Sequence, residues 1–170
     1  MNLKDKIRVI EDFPEKGISF KDITTVLKDP KYFKEVINKL TDSFSDIEID
    51  VVVGPESRGF IFATPVAYNL GAGFVPVRKP GKLPAEIEKF EYFLEYGSDS
   101  LEIHTDAIKS GMKVLVIDDL LATGGTVSAT AQLIEKLGGI VVGIGFFIEL
   151  CDLNGRAKIS KYNVKSIVKY

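Results

Sequence analysis

Four short apolar runs, residues 49–53, 74–77, 114–117 and 140–148, are rich in β-branched side chains and show no alternation of polar with apolar positions. A strand that reads as a continuous apolar run has both faces covered, as happens inside a parallel sheet with helices packed on each side. The intervals agree with that reading. Residues 59–70 form a helical stretch that Gly71 is placed to end, and residues 126–137 form another, stopped by Gly138-Gly139. Upstream, Asp29-Pro30 combines an N-cap with proline at the first helical position, and Phe33, Val36, Ile37, Leu40 and Phe44 supply a buried stripe. Leu3, Ile7 and Ile10 after Asn2 predict a first helix, before Pro14 and Gly17 turn the chain. The pattern predicts an α/β fold, doubly wound around a mainly parallel sheet.

Composition narrows the class of partner. A chain of 170 residues, 45% hydrophobic and 27% charged, reads as one globular domain, long enough to bury roughly two-thirds of its unfolded surface. Its formal net charge of -2 argues against a sequence-independent nucleic-acid binder, which needs a basic face. The single cysteine, Cys151, excludes an internal disulfide and a thiolate zinc cage and reads as a small packing residue. No apolar run approaches the ~20 residues needed to cross a bilayer, and the opening MNLKDKIRVIEDF has no signal-peptide core. A cytoplasmic protein with no membrane partner is expected.

One segment departs from the βα alternation. Residues 90–94 and 101–104 flank Gly97-Ser98-Asp99, which predicts an antiparallel hairpin inserted between βα units. Its charged residues predict an exposed, mobile element. Read from its residues alone it is an active-site lid or a decorative edge hairpin in equal measure.

The stretch KVLVIDDLLATGGT, from Lys113 to Thr126, is the richest in chemistry. Its strand delivers Asp118 and Asp119 at the carboxyl end, where open α/β sheets bind their ligands. Thr-Gly-Gly-Thr then opens a helix. The glycines let backbone N–H groups approach an anion, the threonines add hydroxyl donors, and the helix N-terminus adds partial positive charge. This is a phosphate cradle beside two carboxylates. Carboxylates repel phosphate unless they face something else, and sugar hydroxyls or Mg2+ are the natural candidates. A phosphorylated sugar satisfies both halves. Neither G-x-x-x-x-G-K-[ST] nor G-x-G-x-x-G occurs in the chain.

VLVIDDLLATGGT is similar to the 5-phosphoribosyl-1-pyrophosphate (PRPP) motif of type I phosphoribosyltransferases. The resemblance covers nearly the whole chain and is strongest to the branch of that family that uses adenine. DFPEKGISFKDIT, from Asp12 to Thr24, resembles the family's N-terminal hood, and GPESRGF, from Gly54 to Phe60, its pyrophosphate loop. RKPGKLP, from Arg78 to Pro84, and LEYG, from Leu94 to Gly97, resemble its basic loop and lid. The resemblance thus implies one phosphoribosyltransferase domain over residues 1–170, with a hood over about 1–28 and a flexible lid hairpin over about 86–106.

It also implies an activity: adenine plus PRPP giving AMP and pyrophosphate, with Mg2+ held mainly by PRPP, in a homodimer. Asp118 and Asp119 would hold the ribose hydroxyls, and Ala122, Thr123, Gly124, Gly125 and Thr126 would wrap the 5-phosphate. Ser57, Arg58, Lys79 and Lys82 would meet the pyrophosphate, with Arg78 acting across the dimer interface. Glu95 would handle the proton, with Tyr96 beside it. Phe20 would stack on the purine, backbone groups around Ser19 and Lys21 would read its edge, and Leu150 would close the other side. Family members that use hypoxanthine or guanine carry Asp at the position of Ala122, which favours adenine.

The chemistry supports these roles. Cleavage at ribose C1 leaves a cation-like sugar and a highly charged leaving group, so neutralising pyrophosphate is the main electrostatic task. Adenine loses its N9 proton as it attacks, and a carboxylate can accept it. Without the resemblance, Glu95 reads as a solvated hairpin carboxylate, Phe20 as a core aromatic and His104 as structural. The chain departs from the family at Lys21, where many members have Arg, at Thr25, where Pro is frequent, and at Glu11, where Pro is common. Other readings are a hypoxanthine, guanine or orotate phosphoribosyltransferase, a regulator that keeps the fold without catalysis, and a phospho-receiver domain. A regulator calls for a DNA-binding domain or a basic face. A receiver wants its acid pair near the first strand, whereas this pair sits at residue 118.

Overall fold

The computed structural model describes residues 2–94 and 97–170. The chain starts in a 3-10 turn, Leu3–Lys6, capped by Asn2, whose Oδ1 accepts from the Lys4 N–H at 3.2 Å. The helix expected through Ile10 stops there. Leu3 and Ile7 are buried as the spacing predicts, but β1 (Arg8–Ile10) pairs antiparallel with β2 (Phe20–Asp22). The reason is tertiary: the Arg8 guanidinium reaches Asp22 Oδ2 through Nε at 2.8 Å and Nη2 at 2.5 Å, and the Arg8 N–H donates to Thr25 Oγ1 at 3.3 Å.

A short α1 (Thr24–Leu27) leads to α2 (Pro30–Asp42). Asp29 caps α2 as expected, its Oδ1 accepting from the Lys31 N–H at 2.9 Å and the Tyr32 N–H at 3.4 Å. Then follow β3 (Val51–Pro55), α3 (Arg58–Leu70), β4 (Gly73–Val77), the hairpin β5 (Ile87–Leu94) and β6 (Gly97–His104), β7 (Lys113–Leu121), α4 (Gly125–Lys136), β8 (Ile140–Glu149) and β9 (Val164–Lys169). Gly71 ends α3 in the left-handed region, φ 67°.

The sheet runs β4-β3-β7-β8-β9, and every neighbouring pair is parallel. Strand parity sorts the apolar runs into two cores. Val52, Leu115 and Ile117 face the side covered by α2 and α3, while Val51, Val53, Val114 and Val116 face the side covered by α4. Both faces being covered accounts for the missing alternation. The edge strand β9, VKSIVK, is neither a continuous apolar run nor a strict alternation, which is why a search for continuous apolar runs passes over it. In chain order the first sheet strand, β3, lies between the second, β4, and the third, β7. The winding therefore reverses between β3 and β7, and a crevice opens at their carboxyl ends.

The hairpin differs from its expected form. Gly97, Ser98 and Asp99 belong to β6, paired with Leu94, Phe93 and Tyr92, and not to the turn expected there. Nor is the element wholly exposed. Leu101 and Ile103 are buried in the α4-side core, a burial worth about 1.5–3 kcal/mol per side chain. Ser100 and Glu102 at the alternate positions are buried too, so the middle of β6 is covered on both faces.

Candidate active site

At the reversal point a cleft of about 390 Å³ is lined by residues 56–58, from the loop between β3 and α3, and residues 118–127, from the end of β7 into α4. The two segments expected to meet the pyrophosphate and the phosphorylated ribose thus share one cavity.

The α4 side is made of backbone. Gly124 occupies the N-cap with φ 84° and ψ 3°, and no side chain caps the helix. The first N–H groups of α4 therefore have no intrahelical acceptor and face the cleft, which makes an anion site. Gly124 is required twice, by its φ and because a Cβ would lie 2.6 Å from the Gly155 carbonyl oxygen. Gly155 is equally constrained: its Cβ would lie 2.4 Å from Ala122 O. The chain behind the cradle is thus as tightly fixed as the cradle. Thr123 and Thr126 are exposed, and the Tyr92 ring of β5 packs near Gly125, 3.6 Å from where a Cβ would sit.

The two acids diverge. Asp119 is buried, with Oδ2 2.8 Å from Arg58 Nε in an ion pair whose angle makes no hydrogen bond, so this oxygen has no hydrogen-bonding partner among the described residues. Asp118 Oδ1 accepts from the Asp119 N–H at 2.8 Å and fits against Gly59, where a Cβ would come within 2.8 Å. Asp118 is partly accessible yet lies deep in the molecule. Desolvation, then the neighbouring Asp119 carboxylate, push its carboxyl well above the usual range.

The β3 side is made of side chains. Glu56, beside Ser57 and Arg58, accepts from the Lys79 N–H at 2.6 Å and from Lys82 Nζ at 2.5 Å, and lies 3.5 Å from Arg78 Nε. Burial alone would raise its carboxyl; the Lys82 and Lys79 hydrogen bonds outweigh it and hold the group below its ordinary value. Lys79 Nζ reaches Asp99 Oδ2 at 3.1 Å, and Tyr92 donates to the same oxygen at 3.2 Å. The Lys79 hydrogen bond is the chief cause of a lowered Asp99 carboxyl. The Glu56–Ser57 peptide is cis.

The residues expected to hold the base are only partly gathered. Phe20 lies on the cleft side of β2, its ring 5.8 Å from the Arg58 guanidinium and 5.2 Å from the Phe13 ring. Ser19, Lys21 and Leu150 line a second cavity, of about 450 Å³, with Tyr170 at its wall. Alternation along β2 separates the two sets. Lys21 Nζ bonds Ser19 Oγ at 2.7 Å and lies 4.6 Å from the Tyr170 ring centre. Among the described residues strand β2 pairs only with β1, so its outer edge has no strand partner there.

Glu95 and Tyr96 lie outside the described residues. His104 Nε2 accepts from the Ala85 N–H at 3.4 Å. Cys151 is exposed rather than packed, because it opens a 3-10 turn, Cys151–Leu153, at the surface. Sequence reasoning did not pick out Glu56, Gly155, Tyr92 or Asp99 as parts of the site. The Asn154-Gly155 pair is a turn signal that could have drawn attention to Gly155; the other three carry none.

This cleft belongs to a known class. The family model described as "Phosphoribosyl transferase domain" matches residues 22–169, from the end of β2 to the end of β9, and the chain belongs to that family. Within it, the chain is 65% identical over 170 residues to the adenine phosphoribosyltransferase of Alkaliphilus metalliredigens, covering 100% of both chains. It is also similar to the crystal structure of adenine phosphoribosyltransferase from Thermoanaerobacter pseudethanolicus, with a TM-score of 0.96 and 56% identity over 99% of this chain and 98% of that one. The Saccharomyces cerevisiae adenine phosphoribosyltransferase, solved with D-2,5-dideoxy-2,5-imino-altritol 1,6-bisphosphate and adenine, has a TM-score of 0.91 and 41% identity over 97% and 96% of the two chains.

Proposed function

We propose that this chain transfers the 5-phosphoribosyl group of PRPP to adenine, forming AMP and releasing pyrophosphate. The observation that carries the reading is the meeting, in one cleft, of an uncapped helix N-terminus with a buried carboxylate oxygen that has no hydrogen-bond donor. The first suits a phosphate and the second a sugar hydroxyl. The yeast relative's complex contains adenine and a bisphosphate, the pair of groups this reading requires.

Ala122, Thr123, Gly124, Gly125 and Thr126 wrap the 5-phosphate, and Asp118 and Asp119 hold the ribose hydroxyls. Ser57, Arg58, Lys79 and Lys82 draw charge off the leaving pyrophosphate as C1 becomes cation-like. The β1–β2 hairpin serves as hood. Phe20 stacks on the purine, the unpaired backbone edge of β2 near Ser19 and Lys21 reads its rim, and Leu150 closes the far side. The β5–β6 hairpin serves as lid, excluding water, with Glu95 accepting the N9 proton and Tyr96 beside it.

No group of three or more His, Cys, Asp or Glu among the described residues forms a metal cage. Asp119 Oδ2, ion-paired with Arg58 but without a hydrogen bond among the described residues, is a hard oxygen donor that suits a cation's waters, so the residues fit Mg2+ carried mainly by the oxygens of PRPP. When bound, Mg2+ supplies charge neutralisation on the diphosphate. The family resemblance further supports a cytoplasmic homodimer in which Arg78 serves the neighbouring site. Among the described residues no helix is long and apolar enough to cross a membrane.

A spectrophotometric assay with PRPP, Mg2+ and each purine in turn tests the reading. AMP is expected from adenine. Turnover of hypoxanthine alone, or of no purine, would overturn it. Glu95→Ala is expected to lower kcat more than adenine affinity, and an unaltered kcat removes Glu95 from the chemistry.

A further inference from the structure

Residues 78–82 carry three cations in five positions, and like charges so close repel one another. Something has to gather them. Glu102 tethers the stretch through backbone bonds with Arg78, at 2.9 and 2.8 Å, and its Oε2 accepts from the Gly81 N–H at 3.2 Å. These bonds fix the path of the chain but leave the cationic heads free. Asp99 holds only the head of Lys79.

Glu56 meets all three basic residues. Its backbone is fixed by its N–H donating to Val77 O at 2.8 Å, and its side chain is 8% exposed. Oε1 takes the Lys79 N–H and lies near Arg78 Nε, while Oε2 takes the Lys82 ammonium. Glu56 also lines the cleft beside Ser57 and Arg58. It is therefore the one described residue that touches both the cavity and the side chains of Arg78 and Lys82. A glutamine there would still accept the Lys79 N–H but would lose the charge-assisted bond to Lys82.

We infer that Glu56 is the positioning residue of the basic loop, holding Lys79 and Lys82 at the rim of the cleft in the arrangement that receives the diphosphate of PRPP, with Arg78 beside them in the arrangement in which it serves the neighbouring site. This rests on the proposed function. The role runs against simple electrostatics, since a carboxylate beside an anion site weakens it by repulsion. Removing the charge therefore has opposite effects under the two accounts. If Glu56 merely competes with the ligand, its neutralisation tightens anion binding; if it positions the bases, neutralisation weakens it.

Pyrophosphate binding in the presence of Mg2+, by calorimetry on the full chain, separates these outcomes, with steady-state kinetics on adenine and PRPP alongside. Glu56→Gln is expected to weaken pyrophosphate binding about tenfold and raise the KM for PRPP by a similar factor, with kcat falling less than about threefold. Glu56→Asp, which keeps the charge with a shorter reach, is expected to fall between wild type and Glu56→Gln. In a Lys82→Met background, Glu56→Gln is expected to add less than about threefold, because its main partner is gone. Tighter or unchanged binding in Glu56→Gln, or a full tenfold loss in the Lys82→Met background, overturns the inference. A wild-type chain that binds no pyrophosphate overturns the functional reading, and the inference with it. Should Glu56→Gln not fold, the ordering of wild type, Glu56→Asp and Lys82→Met decides: Glu56→Asp binding pyrophosphate as tightly as wild type overturns the inference.

Discussion

The two walls of the cleft hold anions by different means. On the α4 wall the donors are backbone N–H groups, set by a left-handed Gly124 and locked from behind by Gly155. They lose no side-chain entropy on binding and need no counter-ion. On the β3 wall the donors are long cations gathered from separate segments, and each is held by a carboxylate: Arg58 by Asp119, Lys79 by Asp99, Arg78 and Lys82 by Glu56. A backbone site is close to all-or-none, because one misplaced peptide ruins it. A side-chain site is graded, because it is built from separate ion pairs, each with a part-exposed cation, and these can be lost one at a time. The contrast suits a substrate whose 5-phosphate stays in place while its pyrophosphate leaves.

The strongest way to break this contrast is Gly124→Ala. It combines about 1–3 kcal/mol of backbone strain with the contact at Gly155, and the expected result is a loss of about a hundredfold or more in kcat/KM for PRPP. A loss under threefold would mean that the cradle is not rigid. Asp119→Asn comes next: with a charged acceptor gone, PRPP binding measured by calorimetry is expected to weaken by about ten- to a hundredfold. Unchanged affinity would remove Asp119 from sugar binding.

Asp99→Asn probes the graded wall. It weakens the hold on Lys79 and on the Tyr92 hydroxyl together, and a rise of about two- to fivefold in the KM for PRPP is expected, shrinking as salt screens the exposed pair. An effect as large as that of Gly124→Ala would erase the difference between the walls.

The smallest effect is one of stability, away from the cleft. Hydrogen bonds from Thr24, then the Arg8 pair, hold the Asp22 carboxyl at about 2. Because the folded carboxyl titrates below the unfolded one, its contribution is whole above about pH 4 and fades as pH falls toward 2. Screening at this peripheral pair leaves it on the order of 1–2 kcal/mol. Asp22→Asn is thus expected to lower Tm by a few degrees at pH 7, with the gap closing in acid; a gap independent of pH would assign the effect to shape rather than charge.

How much of this was legible from the chain follows from the same physics. The cradle was, since a strand, two acids and two glycines before a helix are neighbours in sequence, and each has a local reason to be there. The pyrophosphate wall was legible as a set of candidate bases but not as an arrangement. Glu56 and the Lys79–Lys82 loop are more than twenty positions apart, and nothing local pairs them. The hairpin was found in the right place, but Gly97, Ser98 and Asp99 are strand rather than turn, because Gly97 reads as a turn residue and cross-strand pairing is not a local property. The short β1 and β2 were missed for the same reason, since the Arg8–Asp22 bond spans the gap between them.

The sequence by itself determined four of the five sheet strands, the three longer helices and the end of the sheet where chemistry occurs, because continuous apolar runs, caps and glycine breaks act within a few residues of themselves. Only the tertiary structure decided which face Phe20 presents, which carboxylate holds which base, and that Gly155 supports the cradle. These depend on where distant segments meet, and a hydrogen bond of 2.5 Å between residues 56 and 82 has no energy until the sheet has brought them together.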